Sequence, residues 1–288
     1  MSELFRRAWR VQVGTLDVSA LAVSFKAKRS LAQRAGTLDL TIRNLTEEHR
    51  REIQRARRFH TFVEVMAGYR DSMSLIFRGD LRKAVPARDG TDWIVKVTAG
   101  DGEHAIRSAR VNRSFAPGTT VQQVVQHIAE AMGVGVGNAA TALRGATLGT
   151  SGGTFPEGTV LFGQAAEELT RLCASAGKTW SIQEGNLQIL NRGGALEREA
   201  ILLSASTGMV GTPEVVNRRV ITVTALLQPG LVPGQQVVVQ SSALLTTAPW
   251  RITEAEYSGD TYGSDWYAKL TCHRPRPPLV SAPSPETA

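Results

Sequence analysis

The spacings that would mark a metal or redox site are missing from this chain. Its 288 residues hold two cysteines, Cys173 and Cys272, and five histidines, His49, His60, His104, His127 and His273. No Cys-x-x-Cys, His-x-x-x-His or Glu-flanked helical His pair occurs among them, so no metal-ligand set is assigned. Cys173 falls in a helical pattern and Cys272 in a strand pattern, and each reads as a small buried apolar residue instead of half a disulfide. No apolar run approaches the ~18 uncharged residues of a membrane helix, so no stable membrane insertion is expected. Met1 to Arg10 is basic but lacks an apolar stretch and a small-residue cleavage site, which predicts folding in a cytoplasm.

Catalytic spacings are absent as well. Gly133-Val134-Gly135-Val136-Gly137 superficially matches a dinucleotide loop, but it follows a helical pattern where that loop needs a preceding strand. Gly149-Thr150-Ser151-Gly152-Gly153 has the wrong spacing for a nucleophile elbow and reads as a flexible loop. Glu167 and Glu168 are adjacent on a helix and point to different sides, which suits no two-carboxylate mechanism. His127 lies opposite an apolar stripe and reads as solvated. No catalytic residue, no cofactor and no metal ligand is therefore assigned, and the chain is not expected to be an enzyme.

Hydrophobic content of 42% and charged content of 20% are those of a globular protein with a buried core. The net charge of +7 is localised: Met1 to His60 holds thirteen Lys/Arg against six Asp/Glu, and the rest of the chain is balanced. Such an excess serves either a nucleic-acid or acidic-protein surface or a solvated face with strand-edge lysines.

The period of the apolar residues changes twice. Trp9, Val11 and Val13 alternate with polar neighbours, Leu21 to Phe25 follow, and Thr37 to Ile42 alternates again, all with the period of a strand. Lys26-Ala27-Lys28-Arg29-Ser30 reads as an exposed edge or loop. Thr46 caps a short helix with Glu47 and Glu48 in its first turn and Arg55, Arg57 and Arg58 near its end, complementing the helix dipole. Phe59 to Ala67, Leu75 to Phe77 and Trp93 to Thr98 extend the sheet. The middle is helical: Thr120 and Gln123 form a capping box, with Val121, Val124, Val125, Ile128 and Met132 on one face before Gly133. Gly133 to Gly158 reads as a long loop, Gln164 to Ala176 as a second helix, and Thr179 to Leu190 as a hairpin turning at Glu184-Gly185-Asn186. From Val215 strands return: Val220 to Val223, Val237 to Val239, Trp250 to Tyr257 and Trp266 to Cys272, with Gln228 to Gly234 as a turn.

Asp92-Trp93-Ile94-Val95-Lys96-Val97-Thr98-Ala99 has an echo in Asp265-Trp266-Tyr267-Ala268-Lys269-Leu270-Thr271-Cys272, and each is preceded by a Gly-Asp pair, Gly79-Asp80 and Gly259-Asp260. The echo predicts one β domain used twice, with Trp93 and Trp266 as equivalent anchors, around an α+β insert.

The ordered phrases Phe77-Arg78-Gly79-Asp80, Asp89-Gly90, Trp93, Ala99-Gly100-Asp101-Gly102, Gly118-Thr119-Thr120-Val121, Leu169 to Trp180, Leu231-Val232-Pro233-Gly234 and Tyr257-Ser258-Gly259-Asp260 resemble those of phage tail baseplate hub proteins. That contractile-tail group includes the late control protein D family, and the N-terminal part of type VI spike proteins is similar. The resemblance covers nearly the whole chain. It implies a mainly β fold: two tube-like antiparallel β-barrel domains flanking a small helix–hairpin domain. The expected boundaries are 1–103 for the first barrel with its inserted helix, 104–192 for the middle domain, 193–273 for the second barrel, and 274–288 for a Pro-rich disordered tail. It further implies a homotrimeric ring in the virion tail, assembled in the host cytoplasm. The ring would adapt a hexameric tail tube or distal tube protein to a trimeric central spike, among other baseplate proteins, with DNA only as passing cargo. Two other classes stay open: a small-barrel nucleic-acid or carbohydrate binding module, and an unrecognised cell-wall hydrolase.

Overall fold

The computed structural model describes residues 6–143, 153–228, 230–242 and 249–275. The Gly149–Gly152 stretch, Pro229 and the Pro-rich tail beyond Pro275 lie outside the described residues. Strand accounts for 52% of the described residues, so the mainly β expectation holds.

The first part contributes β1 (Arg7–Val13), β2 (Leu16–Asp17), β3 (Val23–Ser30), β4 (Gly36–Arg43), α1 (Glu47–Arg55), β5 (Phe62–Tyr69), β6 (Ser72–Asp89) and β7 (Asp92–Asp101). The middle contains α2 (Glu103–Ser108), β8 (Arg110–Phe115), β9 (Thr119–Thr120), α3 (Val121–Met132), α4 (Ala139–Ala142), β10 (Thr154–Phe155), β11 (Thr159–Gln164), α5 (Ala165–Ser175), β12 (Lys178–Gln183) and β13 (Asn186–Asn191). The last part adds β14 (Ile201–Leu203), β15 (Met209–Asn217), β16 (Val220–Leu226), β17 (Gln236–Val239), β18 (Pro249–Asp260) and β19 (Trp266–His273).

Strands from both ends of the chain form one 13-stranded sheet, in the order β15-β16-β19-β18-β3-β4-β7-β6-β5-β1-β2 with β17 and β14 branching from β18. Among the described residues the sheet is not closed into a barrel. Within it an order repeats: β3-β4-β7-β6-β5 in the first part and β15-β16-β19-β18-β17 in the last, all antiparallel. The two runs are joined by β18 against β3, from Glu254↔Ser30 to Asp260↔Ser24. One apolar core serves both runs, from Val11 and Phe25 to Tyr257 and Trp266.

Strand β3 corrects the edge-or-loop reading of Lys26 to Ser30. It lies between β4 and β18, with Ala27 and Arg29 buried and Lys26 and Lys28 exposed. Period-two alternation survives there because two lysines face water and a small residue faces the core.

The middle unit has its own core, in which Val121, Val124, Val125 and Ile128 of α3 meet Leu169, Leu172 and Cys173 of α5, with Trp180 and Ile189 beneath. The capping box forms as expected: the Thr120 side chain accepts from the Gln123 backbone, and the Gln123 side chain accepts from the Thr120 N–H. Gly133 ends α3 in the left-handed region at φ +66°. Part of the stretch expected as loop is structured, since α4 and β10 fall within it.

Candidate functional site

Two features of the fold have functional potential: the polar face of the large sheet, and the contact that holds the middle unit against it.

On the sheet face turned away from the core, rows of side chains cross the junction between the two runs. One row reads Thr224, Lys269, Glu256, Lys28, Thr37, and the next Tyr267, Ser258, Lys26, Asp39, Thr98. Lys26 and Lys28 both reach Glu256, at 2.7 and 3.0 Å. Burial alone would raise the Glu256 carboxyl, but the two lysine hydrogen bonds outweigh it and hold the group below its usual range. Lys28, Thr37, Thr222, Glu254, Glu256 and Lys269 line a depression over the junction. Threonine, lysine and carboxylate side chains make this a hydrated surface of mixed charge, without the predominantly apolar lining of a small-molecule site.

Five of the thirteen N-terminal cations pair with acids from elsewhere in the chain. Lys26 and Lys28 pair with Glu256, Arg34 with Glu254 at 2.6 Å, Arg43 with Asp89 at 2.8 Å, and Arg29 with Glu184 at 2.8 Å. Three of those acids, Glu184, Glu254 and Glu256, lie in the C-terminal half of the sequence, so the charge asymmetry along the chain becomes pairing across the fold. Exposed pairs of this kind add little stability individually.

The middle unit is held by the β12–β13 turn. Glu184 and Gly185 sit at φ +57° and +75°, a turn whose twist suits a hairpin but whose first position disfavours a side chain. The buried carboxylate of Asp101, at the end of β7, accepts both turn N–H groups, from Glu184 at 2.9 Å and Gly185 at 3.2 Å. Arg29 donates to the Glu184 carboxylate at 2.8 Å, to the Gln183 side chain at 3.2 Å and to the Ile76 carbonyl at 3.2 Å. Gln183 donates in turn to the Ser30 carbonyl at 2.8 Å. Burial raises the Asp101 carboxyl to about 6, with Arg29 and the two backbone donors pulling against that rise. Sequence reasoning missed this latch, because Arg29 stands among lysines and Asp101 in a Gly-Asp-Gly turn phrase; no local signal marks either as buried.

The two tryptophans of the echo sit differently. Trp266 is 1% exposed and packs edge-on to Trp9 and Phe25, with centroids 6.2 and 5.9 Å away, while donating to the Gly68 carbonyl at 3.2 Å. Trp93 is half-buried between the guanidiniums of Arg50 and Arg88, 4.4 and 4.2 Å from its ring centroid. They occupy the same place in the strand order and register but not the same surroundings.

The preceding Gly-Asp pairs are not equivalent. Gly79-Asp80 precedes a bulge, with Asp80 opposite Gly100, whereas Gly259-Asp260 ends its hairpin, with Gly259 opposite Trp266. In register, Asp260 matches Asp89, and that second hairpin has a longer turn.

The residues considered for chemistry are dispersed. Among the described residues no group of three or more His, Cys, Asp or Glu could hold a metal, and no helix is long and apolar enough to cross a membrane. Gly135 and Gly137 lie against the β13 hairpin, with Gly135 exchanging backbone hydrogen bonds with Gly185 and Leu187; they form no phosphate loop. Glu168 pairs with Arg171 at 2.5 Å. His127 is half-buried, edge-on to Phe115 at 5.7 Å and 3.1 Å from Arg113, instead of fully solvated. Cys173 and Cys272 are free and buried, and burial pushes both thiols up to about 12.

Comparison with known proteins bears on the whole of this architecture. A family model described as Baseplate hub gp41 matches residues 16–272. No curated protein sequence matches. Among solved structures, the 43 kDa tail protein of prophage MuSo2 from Shewanella oneidensis superposes with a TM-score of 0.64 at 13% identity, covering 93% of this chain and 96% of that one. A tail protein of Neisseria meningitidis MC58 gives 0.62 at 11% identity, covering 93% and 97%. The E. coli c3393 protein gives 0.53 at 12% identity, covering 92% and 76%; it is described as a type VI secretion component similar to the T4 tail proteins gp27 and gp5. At these identities the likeness concerns the fold.

Proposed function

This chain belongs to the Baseplate hub gp41 family and is a structural protein of a phage tail, and from that premise we propose that it forms a homotrimeric ring at the baseplate hub. One observation carries the reading: the strand order β3-β4-β7-β6-β5 is used twice in one chain. Three such chains present six related units, which matches a hexameric tail tube on one side while leaving threefold symmetry for a central spike on the other. Residues 1–103 and 193–273 are the two tube-like units, and 104–192 is an insert latched to the ring.

The hydrated face with Lys26, Lys28, Asp39, Lys96, Glu256 and Lys269 is the wall of the channel. Its mixed charges suit a passage that must not hold DNA, because a single-sign basic lining would retain it. The internal pairing of the N-terminal cations favours this reading over a dedicated nucleic-acid module. Tube protein, spike and other baseplate proteins are the partners, and DNA is transient cargo.

Sedimentation velocity at micromolar concentration, with negative-stain images, tests the ring. Three chain masses and a threefold annulus are expected. A monomer at every concentration that never joins tail particles removes the reading.

A further inference from the structure

The repeated strand order leaves one junction made and one unmade. Strand β18 has β19 on one edge and, on the other, β17 followed by β3. Its counterpart β6 has β7 on one edge and β5 only as far as Leu81 on the other, so Lys83–Asp89 meets no strand there among the described residues. Strand β15, the counterpart of β3, pairs only with β16 among the described residues.

The registers match closely enough to transfer positions. Both hairpins carry a bulge at the same point: Leu81↔Ala99 is followed by Lys83↔Thr98, and Ile252↔Cys272 by Glu254↔Thr271. The backbone bonds just before each bulge also correspond, Leu81 N–H to the Thr61 carbonyl at 2.8 Å and Ile252 N–H to the Gln235 carbonyl at 3.0 Å. Through β7 and β19, and then β4 and β16, Pro86 matches Tyr257, Ala87 matches Ser258, Glu214 matches Lys26 and Val215 matches Ala27.

Exposure differs sharply between the two sets. Tyr257 and Ala27, paired in the internal junction, are 1% and 0% exposed. Of their counterparts, Pro86 is half-buried and Val215 is 54% exposed, beside Val216 at 57% and Val85 at 37%. An apolar strand edge left bare in this way invites another strand.

We propose that the β6 edge of one copy, Lys83–Asp89, receives the β15 edge of a second copy, Glu214–Asn217, antiparallel and in the register of the β18–β3 junction. Ala87 then faces Glu214 as Ser258 faces Lys26, and Pro86 faces Val215. Pro86 has no N–H and β15 is interrupted by bulges around Pro213, so the ladder is short; the same features keep either edge from pairing indiscriminately. The contact joins unlike surfaces, so each copy keeps one open edge of each kind until the ring closes. This pairing rests on the ring reading above and names the surface that would build it.

Paired cysteines in the full-length chain test it. Ala87→Cys with Glu214→Cys places two thiols at a directly facing pair, and the native cysteines are buried. Under mild oxidation this double variant should give bands at two and three chain masses on a non-reducing gel, lost on reduction. The single variants and the out-of-register pair Lys83→Cys with Val210→Cys should stay at one. Both test positions lie off the core, so an unchanged melting curve shows that folding is intact. A wild-type trimer by sedimentation whose in-register pair fails to cross-link, or cross-links no better than the control, overturns the pairing and leaves the ring standing. A wild-type chain that is monomeric throughout removes both.

Discussion

The β6–β7 and β18–β19 hairpins carry the two copies of the Asp-Trp echo, the same bulge and the same place in the strand order, yet they end in opposite ways. At the tip of the second, Gly259 faces Trp266, and a Cβ on Gly259 would come within 2.4 Å of the Phe25 ring. That bare backbone lets Phe25 of the neighbouring run pack on Trp266. At the tip of the first, the position facing Trp93 is Arg88, which lies over the indole with Arg50 also stacked on it. One tip is a closed joint inside the chain; the other is covered by charged side chains. Shared backbone geometry does not dictate shared burial; the neighbouring run does.

The largest expected effect separates the two tryptophans. Trp266→Ala should cost about 3–5 kcal/mol in urea unfolding, as for a buried aromatic, while Trp93→Ala should cost about 1 kcal/mol for its loss of cation–π contact. Equal costs at both sites would restore the simple equivalence that the echo suggests. Next comes the latch: Arg29→Met strands Glu184 and Asp101 without their buried cation and should cost roughly 3 kcal/mol. Lys28→Met, one residue away on the solvated face, should stay within about 0.5 kcal/mol.

Asp101 adds a pH signature. Its carboxyl titrates at about 6 in the fold against 3.8 as the reference value, so the folded chain holds the proton to higher pH than the unfolded one. The contribution is full below about pH 4, is lost as pH rises through 6, and is flat above; the span is up to about 2–3 kcal/mol. Comparing unfolding free energies of wild type and Asp101→Asn from pH 4 to 7 should show that slope in the wild type alone. The smallest effect is at the joint itself: Gly259→Ala should lower stability by about 1–2 kcal/mol through crowding Phe25. Arg88→Ala, at the matching position, should be near neutral in the same urea unfolding measurement.

Much of the fold is legible in the sequence where period and caps speak locally. The Thr120–Gln123 box, the α3 stripe, α5 and the β12–β13 hairpin follow from patterns only a few residues long. Strand β6 is legible only over Leu75 to Phe77, because Lys83 to Asp89 holds Pro86 and shows no clean alternation of apolar and polar residues. The β8–β11 ribbon leaves no such pattern, because Val160 and Phe162 face outward. Lys26 to Ser30 looks like an edge, since burying Arg29 depends on Glu184, which stands far along the chain beyond the middle helices.

The order of the amino acids settles the local elements: which stretches take the period of a strand, where helices start and stop, and that no metal or redox spacing occurs. Those depend on interactions between near neighbours. The assembled fold was needed to show that β3 sits against β18, that Arg29 is buried, and that Trp266 is enclosed while Trp93 is not. Each of these depends on which distant strand lies alongside, and pairing of that kind is set by the fit of whole sheet faces.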